Sequence, residues 1–86
     1  MPTISRFYGI VIRMYFSDHP PPHFHAVYSG EEAVIAIGSG EIIRGSLPER
    51  ALRLVREWAS IHEQELMANW ALVQVPDTPA RIDPLP

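Results

Sequence analysis

The sequence predicts an α+β domain: a four-stranded, mainly antiparallel meander sheet with one long C-terminal helix packed on one face. Three observations predict it. Apolar side chains alternate with a period of two through the first half of the chain. Short glycine turns, Ser29-Gly30 and Gly38-Ser39-Gly40, separate the alternating runs. From residue 46 to residue 74 the apolar spacing becomes helical. Residues 1–46 therefore read as sheet, 46–74 as helix and 75–86 as a proline-rich tail. Together they form a single domain over 1–86, because 86 residues leave no room for a second core.

The first strand is expected over Phe7 to Phe16. Ile10, Ile12, Met14 and Phe16 share one parity, and Val11, Arg13 and Tyr15 share the other. Ser17 to Pro22 follows as a stiff loop, since each proline fixes φ near about −65° and offers no N–H. His23 to Tyr28 reads as the second strand, Glu32 to Ile37 as the third and Glu41 to Arg44 as the fourth. Connections this short imply antiparallel neighbours. Ser46-x-x-Glu49 matches a capping box, with Pro48 in the first helical turn where its missing N–H costs nothing. Leu47, Ala51, Val55, Trp58, Leu66 and Val73 then gather into one broad apolar stripe, opposite Arg53, Arg56, Ser60 and Gln64. A bend near Ala59-Ser60-Ile61 is compatible with this pattern. Pro76, Pro79, Pro84 and Pro86 bar a regular helix from the tail, which Ile82 and Leu85 pin along a sheet edge.

Composition narrows the function classes. No apolar run reaches the ~18 residues of a membrane helix, and the opening lacks a signal-peptide pattern. The absence of cysteine excludes disulfides and thiolate metal sites and fits a cytoplasmic location. A net charge of −3 argues against a broad nucleic-acid surface. Its distribution softens that argument, because residues 1–30 carry Arg6 and Arg13 against the single acid Asp18. An exposed edge strand on a short chain suits a homodimer.

Three of the four histidines stand in the segment Asp18-His19-Pro20-Pro21-Pro22-His23-Phe24-His25. In a strand, His23 and His25 point to one face and Phe24 to the other. His19, His23 and His25 form a candidate metal set, and Asp18 supplies an oxygen ligand or orients an imidazole. Zinc, manganese and nickel accept such donors. A metal-free reading makes one of His23 and His25 a base and the other an acid, with Arg13 steadying a phosphate. Arg6, Tyr8, Arg13 and Tyr15 read equally as a phosphate patch or as a solvent-facing strand. On the helix, His62 and Glu65 fall in the apolar sector with Asn69. Either they satisfy one another locally, or they face His23 and His25 and complete a catalytic site from a second element. Trp58 and Trp70 read as packing residues.

Several segments resemble the bacterial family catalogued as domain of unknown function 4160. They are the opening Met1-Pro2-Thr3-Ile4-Ser5-Arg6-Phe7-Tyr8-Gly9-Ile10, the run Asp18 to Ala26, and Gly40-Glu41. Leu47-Pro48-x-Arg50-Ala51-Leu52, Glu57-Trp58, Asn69-Trp70 and Ile82-Asp83-Pro84-Leu85 continue the resemblance over nearly the whole chain. Where this chain has Pro20, family members commonly have asparagine, so a side-chain amide is lost at that point. The resemblance implies a small two-gene cassette of toxin–antitoxin type. It carries no catalytic assignments.

Two functions are therefore expected in competition. One is a cytoplasmic accessory or regulatory protein that binds a partner protein from a neighbouring gene, with nucleic acid as a further partner. The other is a small histidine-dependent hydrolase or nuclease, with or without a metal. The sequence leaves open whether the chain is an enzyme.

Overall fold

The alternating half of the chain folds into five strands, not four, in a computed structural model that describes residues 2–86. Strands β1 (Thr3–Phe7), β2 (Ile10–Arg13), β3 (His23–Tyr28), β4 (Glu31–Ala36) and β5 (Ile42–Gly45) pair antiparallel in chain order. The extra strand, β1, lies almost wholly ahead of the expected first strand and joins it through a turn at Tyr8-Gly9. Tyr8 and Gly9 have φ of 51° and 79°, the pair of left-handed residues that a two-residue hairpin requires. The run from Phe7 to Phe16 is thus the end of β1, a turn, β2 and the start of a loop. Ser29 and Gly30, with φ of 50° and 82°, make the expected β3–β4 turn.

One face of the sheet is dry. Ile10, Ile12, Phe24, Ala26, Ala33 and Ile35 are all buried there. Against them pack two helices where one was expected, α1 (Glu49–Ile61) and α2 (Glu63–Gln74). The chain leaves helical geometry at His62 (φ −110°, ψ 26°), one residue beyond the expected bend, while backbone bonds from His62 to Trp58 and from Leu66 to His62 continue across the break. The expected capping box does not form. Pro48 occupies the cap position without a side-chain bond, and the Ser46 N–H instead donates to the Glu32 carbonyl at 3.1 Å.

Trp58 is the centre of the core. It is fully buried, with its ring 5.3 Å from Phe7 and 5.9 Å edge-on to Phe24, and its indole N–H donates to the Asp83 carbonyl. Truncating such a residue costs about 3–5 kcal/mol, a large share of the ~5–15 kcal/mol that stabilises a domain. The tail runs along the free edge of β1, as expected. The Ile82 N–H donates to Ile4 at 2.8 Å, and Asn69 exchanges two 2.8 Å bonds with the Ala80 backbone. Ile82 and Leu85 are buried.

Gly45 closes β5 in the left-handed region, and a Cβ there would lie 2.1 Å from the Glu32 carbonyl oxygen. Gly45→Ala combines that clash with a left-handed cost of about 1–2 kcal/mol. It is expected to lower the urea midpoint of unfolding by at least that free energy; an unchanged midpoint would contradict the tight β4–β5 approach.

Candidate metal centre

Because Phe24 and Ala26 face the core, His23 and His25 stand on the opposite face of β3, in register with Ala36 and Val34 of β4. α2 reaches one end of that face through Trp70, and Val11 and Val27 on it are half-buried. Nevertheless His23 is only 7% and His25 only 4% exposed. The loop between β2 and β3 folds back over them.

The last turn of α2 holds that loop. The Ser17 N–H donates to the Val73 carbonyl at 2.8 Å, fixing Ser17 in the left-handed region at φ 56°. Gln74 Nε2 donates to the Asp18 carbonyl at 3.2 Å. Tyr15 stacks on His25 at 4.1 Å between ring centres, and Trp70 lies 5.1 Å from His23. Pro20, Pro21 and Pro22 then return the chain to β3 with little freedom.

The result is a shared oxygen. Asp18 Oδ2 lies 2.8 Å from His23 Nε2 and 3.2 Å from His25 Nε2. On their far sides, His23 Nδ1 meets the Pro21 carbonyl at 2.7 Å and His25 Nδ1 meets Glu32 Oε2 at 2.8 Å. Carbonyls and carboxylates only accept, so all four of these ring nitrogens face an acceptor, and a single N–H per ring cannot serve both sides. Asp18 Oδ1 accepts from the His19 N–H at 2.9 Å. Burial pushes the Asp18 carboxyl up, but the bonds from His25, His23 and the His19 N–H outweigh it and hold the group below its ordinary value.

A neutral imidazole has one N–H, so each ring either carries a second proton or turns one lone pair toward an oxygen. With Nδ1 as the donor, that lone pair is Nε2 facing Asp18 Oδ2, and a cation would sit between the three atoms. One ligand atom from each of Asp18, His23 and His25 falls within 4.8 Å of the others. Donors about 2.0–2.1 Å from a small divalent ion sit roughly 2.8–3.4 Å apart at right-angled or tetrahedral spacing. The two Asp18 distances fall in that range. Asp18, His23 and His25 are thus a possible cation-binding group.

Of the residues singled out in the sequence, Asp18, His23 and His25 come together, and Arg13 stands directly across from His25 in β2. His19 is exposed and contributes only its backbone N–H. The alternative in which His62 and Glu65 complete this site is not what the chain adopts. They bond to each other at 2.5 Å at the start of α2 and make no bond to His23 or His25. Asn69 serves the tail. Sequence reasoning missed Glu32, although its signal was present. A two-residue turn at Ser29-Gly30 sets Val34 opposite His25, and Glu32 lies two residues away on the same face.

A carboxylate whose pKa falls on folding stabilises the native state above its unfolded value of about 3.9. That contribution disappears as pH drops through the lower folded value. Asp18→Asn is accordingly expected to be less stable than the parent at neutral pH and to lose less stability on acidification below about pH 4. Stability curves that run parallel through this range would contradict the bonding described for Asp18.

No curated protein and no solved structure matches the chain. A family match does cover residues 9–71, from the β1–β2 turn through β5 and α1 into α2, including the whole Asp18–His25 segment. The chain belongs to the family described as Domain of unknown function (DUF4160).

Proposed function

We propose that the protein holds one divalent transition-metal ion through Asp18 Oδ2, His23 Nε2 and His25 Nε2 and serves as a metal-dependent hydrolase. One observation supports this above the others. Both rings turn Nε2 onto one carboxylate oxygen while Nδ1 of each has an acceptor behind it, the Pro21 carbonyl and Glu32. Acceptors behind an imidazole are what fix the tautomer and orientation of a ligating histidine.

Two imidazoles and one carboxylate leave coordination positions open, as in working rather than closed structural sites. Zinc, manganese and nickel accept this donor set, and ferrous iron does as well. The histidines are nearly buried but the Asp18 side chain is 24% exposed, so water and substrate reach the ion from the Asp18 side. An ion held by Asp18, His23 and His25 would supply Lewis acidity to a water at an open position. A cavity of about 480 Å³ lies elsewhere, between Tyr8, Ile10, Tyr28 and Arg50.

Untagged protein stripped with a chelator is expected to bind one equivalent of zinc or manganese by calorimetry. Asp18→Ala, His23→Ala and His25→Ala should each weaken binding by about tenfold to a hundredfold or more, and His19→Ala should leave it unchanged. Absence of stoichiometric binding by zinc, manganese, nickel and ferrous iron to the folded parent would overturn the reading.

A further inference from the structure

Beyond the Asp18–His23–His25 group, the same face of the sheet carries a row of arginines that make no ion pair among the described residues. The pairing register sets Arg13 opposite His25, His25 opposite Val34, and Val34 opposite Arg44, so that these four side chains cross β2 to β5 on one face. Arg6 reaches the same face from β1 through its pairing with Val11, which in turn lies opposite Val27. Neighbouring strands are about 4.8 Å apart, which places Arg13 and Arg44 roughly 14 Å apart with the His25 side of the centre between them.

Among the described residues no arginine pairs with a carboxylate; every ion pair joins a histidine to an acid. Asp18 and Glu32 on this face are both engaged by His23 or His25. Arg6, Arg13 and Arg44 outnumber these two acids, and a bound divalent ion would add further positive charge. The chain as a whole carries −3, so the other surfaces hold the acid. Arginine forks match phosphate oxygens in a bidentate manner.

We infer that this face receives a single-stranded nucleic acid, whose phosphates are gripped by Arg13 and Arg44 on either side of the Asp18–His23–His25 centre. The assignment of a phosphodiester as substrate rests on the reading of that centre as a metal site. Single-stranded rather than duplex is argued from Val11 and Val27. They are half-buried, with Val11 opposite Arg6 and Val27 between Val11 and Glu32, and offer apolar surface that unpaired bases can cover and a duplex backbone cannot. Hydrolysis there joins the water oxygen to phosphorus, breaks the ester P–O bond and passes the water's proton to the departing sugar oxygen.

The test is fluorescence anisotropy of mixed-sequence oligonucleotides of about twelve nucleotides, one of RNA and one of DNA, with zinc-loaded or manganese-loaded full chain. Binding to at least one strand is expected, weakening with salt. Arg13→Gln with Arg44→Gln should reduce affinity about tenfold or more and lower the salt slope by about 1.4, at ~0.7 per lost phosphate contact. That variant should keep its circular dichroism and metal stoichiometry. Arg53→Gln, on the exposed side of α1, should bind as the parent does.

No binding to either strand at low salt, equal loss in Arg53→Gln, tighter binding to the matching duplex, or an unaffected double variant would each overturn the docking face. Failure of the metal reading looks different. The chain would then bind the oligonucleotide through Arg13 and Arg44 yet take up no metal. A metal-loaded chain that binds the strand and leaves it intact would overturn the hydrolytic step alone. Cleavage that disappears in Asp18→Asn while arginine-dependent binding remains would support all three.

Discussion

A single carboxylate oxygen organises the functional face of this protein. Asp18 Oδ2 is shared by two imidazoles that would otherwise stand on a bare sheet surface. Burying a polar nitrogen without a partner costs about 1–3 kcal/mol, and all four ring nitrogens of His23 and His25 meet an oxygen. At its back, Nδ1 of each ring meets the Pro21 carbonyl or Glu32. At its front, both Nε2 atoms converge on one anion, and the remaining features serve to hold that convergence in place.

The support can be followed from the far end of the chain. The tail lies on the β1 edge, and Ala80 fixes Asn69 in α2 from both sides of its amide. The last turn of α2 in turn holds Ser17 through Val73, and Asp18 through Gln74. A proline-rich tail thus helps to position the loop that closes over His23 and His25. The sheet divides the labour: one face holds Trp58, Phe24 and the aliphatic core, while the other holds the histidines and arginines. A short antiparallel sheet tolerates this arrangement because only one of its faces has to be dry.

Much of this was legible in the sequence, and the unread parts have physical causes. Alternation revealed β3 and β4, and Ser29-Gly30 revealed their turn. Asp18 and the two histidines were visible from spacing and strand parity. The β1–β2 hairpin was hidden because tyrosine at position 8 is a poor advertisement for a left-handed turn. The helix break at His62 has no proline or glycine to announce it, and the apolar stripe runs on through it. Ser46 and Glu49 carry the capping-box pattern, yet the Ser46 backbone is engaged by Glu32 across the β4–β5 pairing, which a local motif cannot foresee. Separating His62 and Glu65 from the site needed tertiary structure, because helical projection gives a face and not the neighbour it meets.

The central claim, that Nε2 of His23 and of His25 converge on a cation-binding point with Asp18, is tested most directly by nitrogen-15 NMR of the histidine side chains during zinc addition. The account predicts that Nε2 of these two rings alone moves to metal-bound shifts, that their Nδ1 atoms keep their protons, and that His19 and His62 are unaffected. Side-chain spectra of His23 and His25 that do not respond to zinc, or a response confined to His19 and His62, would contradict it.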